Sequence, residues 1–214
     1  MLIAGASGHA KEILDIIEKC GNKDNTVFFD DVSEALPEQF YNHKIIRTLQ
    51  EAEQEFKSDN RFILGLGGVY GRWKIYKKLT GCGGVVSSIV SPFALIANHE
   101  IYFADGINIM HFSMVSSGVS IQKGTLINAF ASIHHGVSIG EFCEISPRAA
   151  LLGECNIGNF SAIGSGATVL PGIYIGNNVT IGAGTVVTKH IADNSVVVGV
   201  PGKIIKTNLP LQLN

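Results

Sequence analysis

Two adjacent histidines, His134 and His135, sit in the stretch INAFASIHHGVSIGEFCEI that runs from residue 127 to 145. An imidazole changes charge near neutral pH, so either ring can take a proton from an attacking amine or hydroxyl. The pair can equally belong to a metal site, or be no more than exposed side chains on a turn. Zinc needs three or four converging nitrogen or sulfur ligands. The sequence has no C-x-x-C pair among Cys20, Cys82, Cys143 and Cys155 and no H-x4-H pair, so no metal is expected.

A second group of residues with chemical potential lies near the start. GASGHA, Gly5 to Ala10, follows the apolar run MLIA and precedes the helix-like HAKEILDIIEKC. Backbone N–H groups at the start of a helix can receive an anion. Asp30 and Asp31, about 20 residues further on, can accept from ribose hydroxyls as the acidic residue of a dinucleotide fold does. The same glycines also permit close strand–helix packing and no more.

These groups must be positioned by two different architectures. From 1 to about 85, apolar runs (MLIA, TVFF, FILGLG, GGVVSSIV) alternate with helix-like stretches (HAKEILDIIEKC, KIIRTLQEAEQEF, YGRWKIYKKL), which predicts a parallel sheet with crossover helices. Its length suits about four strands, half of a full dinucleotide-binding fold, so a single nucleotide fits better than NAD.

Past residue 90 a repeat takes over. Every sixth residue from Ile109 to Val187, fourteen in all, is a branched aliphatic without exception. A period of six matches no helix. It fits a short strand and a corner, three of which close an 18-residue triangular coil. Coils stacked at strand spacing place each aliphatic over the one a full coil earlier, giving a parallel β-helix prism of four to five coils between 109 and 192. Residues 85 to 108 form a degraded first coil. His99 and His135 are 36 residues apart, two coils on one face, too distant to share a metal. Cys143 and Cys155 are 12 apart and fall on different faces, so no disulfide joins them.

Composition narrows the function classes. Lys+Arg 16 against Asp+Glu 18 gives a net charge of -2, which excludes a global field for nucleic acid or anionic membrane. No apolar run reaches the ~20 residues of a membrane span and the start lacks a basic leader, so a cytoplasmic protein without membrane insertion is expected.

The hexads, the His134–His135 pair, the head AGASGHA and the tail VVVGVPGKIIK together resemble the hexapeptide-repeat acyltransferases, in the sialic-acid O-acyltransferase-like branch that includes nucleotide amino-sugar N-acetyltransferases. The resemblance covers nearly the whole chain. It implies an α/β, Rossmann-like nucleotide-sugar-binding domain over 1–85, an all-β left-handed parallel β-helix acetyltransferase domain over 86–205, and a tail over 206–214. It also implies a homotrimer with active sites between subunits, acetyl-CoA as donor, and a 4-amino-6-deoxy sugar on a nucleotide carrier as acceptor, for surface glycan synthesis.

By the same resemblance His135 is the general base, Asn128 positions the acceptor, and the Gly153 N–H holds the thioester oxyanion. Gly8, His9, Ala10, Asp30, Asp31, Val32 and Gly67 would line the nucleotide-sugar site. Glu144, Ser165, Ala183 and Lys203 would contact the donor. Asn128 at a corner is equally a turn asparagine, and Gly153 equally a glycine chosen for positive φ.

One departure stands out. Many relatives carry an acidic residue directly after the histidine, and here that position is Gly136. His134, Glu144, Glu154 or a neighbouring subunit are the candidate replacements. The expected reaction is direct acetyl transfer to a sugar amine. O-acetylation of a sugar hydroxyl such as that of sialic acid, and a non-catalytic nucleotide-sugar-binding β-helix, are the alternatives.

Overall fold

The structure, a computed structural model, describes residues 1–21, 26–33, 37 and 39–211. The chain divides into two compact units, 1–92 and 93–214.

The first unit contains β1 (Leu2–Ala4), α1 (Gly8–Lys19), β2 (Val27–Phe29), β3 (Gln39–Phe40), β4 (His43–Ile46), α2 (Leu49–Phe56), β5 (Arg61–Leu64), α3 (Val69–Gly81) and β6 (Val85–Val86). The sheet order is β3-β4-β2-β1-β5-β6, with only the β3–β4 hairpin antiparallel. Apolar residues at helical spacing explain α1, which buries Ala10, Ile13, Leu14, Ile16 and Ile17. Leu2, Ile3, Ala4, Phe62, Ile63 and Leu64 are at most 2% exposed, the continuous apolar signature of central parallel strands.

The stretch KIIRTLQEAEQEF, expected as one helical run, is split in two. Ile45 and Ile46 pair with Phe28 and Phe29 in the sheet, where β-branched side chains pack well. The helix begins only after Thr48. That residue's Oγ1 accepts from the Glu51 N–H at 3.2 Å while the Glu51 carboxylate accepts from the Thr48 N–H at 3.1 Å, a reciprocal cap.

The second unit is the prism. Its first face stacks strands Asn108–Ile109, Leu126–Ile127, Glu144–Ile145, Ala162–Ile163, Thr180–Ile181 and Ser195–Val198. The second face runs from Leu95–Ile96 to Val186–Val187, and the third from Tyr102–Phe103 to Tyr174–Ile175. Ladder partners in the repeat lie 18 residues apart, as in Ile127↔Ile145 and Ile133↔Leu151. The coil is a left-handed parallel β-helix. All fourteen ladder aliphatics are at most 4% exposed. Each buried side chain contributes roughly 1.5–3 kcal/mol of transfer free energy, so the ladder is the core of this unit. An antiparallel strand, Lys203–Thr207, pairs with Ser195–Val198 at the end of the first face.

Pairing extends to Leu95–Ile96 and Tyr102–Phe103; the latter keeps the 18-residue offset, whereas Ile96 pairs with Val115 at an offset of 19, so the degraded first coil carries one extra residue between these strands. The cysteines are free, and burial pushes the Cys143 and Cys155 thiols up to about 12.

Candidate active-site corner and nucleotide cleft

Each coil turns at three corners, and one of them carries His135. A residue in the left-handed region (φ near +60°) completes each turn of this corner: Glu100, Gly118, Gly136, Glu154 and Gly172. Its N–H donates to the carbonyl of the middle residue one coil below, giving the rungs Gly136→Ser117 (3.2 Å), Glu154→His135 (2.9 Å) and Gly172→Gly153 (2.9 Å). Ser117, His135 and Gly153 therefore follow one another up the corner.

His135 is exposed and His134 half-buried. No hydrogen bond reaches the His135 ring among the described residues, so both nitrogens are open to a substrate. The ring lies against Gly153. A Cβ added at Gly153 would stand 2.5 Å from His135 Cε1 and 2.6 Å from Nε2. Gly153 is not among the residues with positive φ, so the reason for glycine here is the imidazole rather than the backbone angle. Its own N–H donates no hydrogen bond among the described residues, which leaves a donor beside the ring.

Asn128 lies on the next corner, half-buried, with its N–H bonded to Ile145 O at 2.8 Å and its carbonyl accepting from Ala131 at 3.2 Å. That corner has two halves. The lower half is aromatic: the Phe93, Phe112 and Phe130 rings stack in series at 5.9 and 5.1 Å, and the Arg148 guanidinium sits 5.6 Å from the Phe130 centroid. The upper half is nearly bare. Gly164, Ser165 and Gly166 lie one coil below Gly182, Ala183 and Gly184, with the Gly184 N–H donating to Ser165 O at 2.9 Å. Ser165 and Ala183 are exposed, and nothing lies within 4 Å of a Cβ added at Gly166 or Gly184. Glu144 is on the strand that leads into this corner, and Lys203 is exposed at the start of the terminal strand. Asn128 thus shares a corner with Ser165 and Ala183, whereas His135 and Gly153 share the neighbouring one. Among the described residues no group of three His, Cys, Asp or Glu could hold a metal ion.

In the first unit a cleft of about 310 Å³ opens at the carboxyl ends of β1, β2 and β5. The chain winds from β1 outward through β2 and β4, then crosses back to β5 on the other side of β1. Ligands of open α/β sheets bind at such a reversal. Asp30, Asp31 and Val32 line the cleft, together with Ser7, Leu66 and Lys74 among others. Gly8, His9, Ala10 and Gly67 are not part of its lining: Ala10 is wholly buried and His9 bonds Glu12 at 3.2 Å.

Both carboxylates are already engaged. Asp30 accepts from the Val32 and Ser33 N–H groups at 3.0 and 2.9 Å and from Ser33 Oγ at 3.1 Å, which shapes the loop. Asp31 pairs with Lys78 at 2.5 Å. Gly5 and Gly65 meet back to back, since a Cβ on Gly5 would stand 2.8 Å from Gly65 O. Sequence reasoning missed Lys74 and Lys78. Their spacing of four on α3, which puts both on one helical face, was the available signal.

Comparison with known proteins falls on both units. Residues 1–79 match the model for the PglD N-terminal domain, and residues 154–189 match that for the bacterial transferase hexapeptide (six repeats). No curated protein sequence matches significantly. Among solved structures, the acetyltransferase domain of PglB from Neisseria gonorrhoeae FA1090 is 26% identical, with a TM-score of 0.86 over 95% of this chain and 98% of that one. PerB from Caulobacter crescentus, solved in complex with CoA and GDP-perosamine, is 25% identical, with a TM-score of 0.87 over 96% of each chain. WeeI from Acinetobacter baumannii AYE, 19% identical at a TM-score of 0.68 over 95% of this chain and 98% of that one, shares the fold. In domain order, repeat and fold this chain is similar to the acetyltransferase domain of PglB and to PerB.

Proposed function

We propose that the protein transfers an acetyl group from acetyl-CoA to the amine of a nucleotide-linked amino sugar. The observation that carries this reading is an exposed imidazole, His135, lying against a glycine whose N–H is uncommitted. The likeness to PerB, solved with CoA and GDP-perosamine, supports the substrate pair.

His135 takes the proton as the sugar nitrogen attacks the thioester carbon. The Gly153 N–H supports the oxygen that gains charge, as preorganised backbone donors do. The C–S bond then breaks and His135 returns its proton to the departing sulfur, so the products are an acetamido sugar and free CoA. No covalent acyl-enzyme is required. The residues present fit a pantetheine arm: the bare corner of Ser165 and Ala183 leaves backbone groups open, with Glu144 leading into it, and Lys203 supplies a cation for phosphate. Asn128 on that corner orients the acceptor. The cleft of the first unit binds the nucleotide, with Asp30 shaping the loop, Lys74 lining the cleft as a cation for phosphate and Lys78 held against Asp31.

We further propose a homotrimer, in which active sites form between neighbouring prisms, and a cytoplasmic location. Among the described residues no helix is long and apolar enough to cross a membrane. Acetyl-CoA incubated with GDP-, UDP- and dTDP-linked amino sugars should release CoA and yield a product heavier by one acetyl group with at least one of them. Binding of a nucleotide sugar with no CoA release from any would contradict the reading.

A further inference from the structure

The residue after His135 is Gly136, where a carboxylate would be expected to orient the ring, and the structure shows what occupies the space. A Cβ built on Gly136 would stand 3.1 Å from Glu154 Cγ. Glu154 is one coil above in the same corner position, and its N–H is the one that bonds His135 O at 2.9 Å. Its side chain therefore packs from the upper coil over Gly136 as far as Cγ. The backbone of Glu154 also follows Gly153, against which the imidazole packs.

Glu154 adopts φ 60°, a left-handed conformation that is unfavourable for a residue without a short hydrogen-bonding side chain. Gly118, Gly136 and Gly172 hold the same corner position without that cost. Left-handed residues other than glycine recur at the prism's other corners, as at Phe112, Phe130, Phe142, Arg148 and Phe160, and among the described residues of this corner they are Glu100 and Glu154. Glu100 is the other exception, and its Oε2 lies 3.9 Å from a Cβ built on Gly118, a full coil below the His135 level.

We infer that Glu154 is a positioning residue for His135: the two make no hydrogen bond in this structure, and rotation of the Glu154 side chain lets its carboxylate accept from one ring nitrogen, Gly136 being the notch that admits it. The orienting acid has moved from the residue after the histidine to the equivalent corner of the next coil. One ring nitrogen is then fixed as N–H against the carboxylate, the other stays a bare acceptor for the sugar amine, and the imidazolium formed in the reaction is stabilised, as in other base–carboxylate pairs. This inference rests on the proposed role of His135.

The test is a substitution and a swap. Glu154→Gln should lower kcat by roughly 10- to 100-fold with little change in KM for either substrate, the range seen when outer partners of functional histidines are lost. Gly136→Asp alone should also lower activity, because its Cβ meets Glu154 Cγ. Gly136→Asp combined with Glu154→Ala should restore much of the activity, since aspartate tolerates left-handed φ and the obstructing side chain is gone. Ring 15N chemical shifts of His135, identified by their absence in His135→Ala, read the tautomer without any turnover. In the wild type they should report one predominant tautomer, and in Glu154→Gln a mixture. Unchanged ring shifts and kcat within about twofold of wild type in Glu154→Gln would overturn the inference. If no sugar is acetylated at all, the ring shifts still decide the Glu154 contact while the proposed function fails.

Discussion

Gly153→Ala is a substitution that should leave the fold intact and remove most of the activity. Gly153 does not use positive φ, so alanine adopts its backbone without strain, and a Gly→Ala change of this kind stabilises by about 0.4–1 kcal/mol through the unfolded chain. The new methyl group would, however, stand 2.5 Å from His135 Cε1 and 2.6 Å from Nε2. Non-bonded carbon atoms settle at about 3.5–4.0 Å, so the ring must retreat by roughly 1 Å or rotate away. It is exposed and can do so without unfolding anything. A displacement of that size in a reacting group costs on the order of 100-fold in rate, or about 2.7 kcal/mol of barrier. The assay is kcat/KM from CoA release, alongside a thermal melt of both proteins. The melting temperature should stay within a few degrees of wild type while kcat/KM falls about 100-fold. Turnover within twofold of wild type would refute the reasoning, because the packing of the ring on Gly153 would then have no bearing on the chemistry.

Ile145→Ala removes a fully buried rung between Ile127 and Ile163 and should cost about 2–5 kcal/mol, read from urea denaturation of the two proteins. Thiol titration should separate the cysteines. Burial raises Cys143 and Cys155 to about 12, so at pH 8 neither forms thiolate and both should react only after unfolding, while exposed Cys20 reacts at once.

The prism was legible because its signal is redundant. Fourteen aliphatics at one period leave a single register, and a slip of one residue would expose all of them. The corner that carries His135 follows directly from that register, as do the separate faces of Cys143 and Cys155. The first unit was less legible where tertiary pairing decides. Ile45 and Ile46 lie in a run that reads as helical by spacing, and only their pairing with Phe28 and Phe29 makes them a strand.

The cleft shows the same division. Asp30 to Val32 reach it because they end a central strand, and Gly5, Ala6 and Ser7 of the head reach it because they end β1, while Ala10 is buried in the packing of α1. Lys74 and Lys78 enter it through the docking of α3, which no local pattern encodes. Gly136 is the sharpest case. Read along the chain it is a missing carboxylate, whereas in three dimensions it is the space into which Glu154 folds from a coil away. The period identifies which residues stack, but not the rotamer that a stacked side chain adopts.

The most direct measurement of the central claim is the turnover of His135→Ala with acetyl-CoA and the nucleotide amino sugar that the wild type accepts, together with CoA binding by calorimetry. Loss of the side chain should lower kcat at least 100-fold, the usual contribution of a general base, with CoA affinity and the melting temperature unchanged. Near wild-type kcat in that variant would contradict the assignment of His135 as the base.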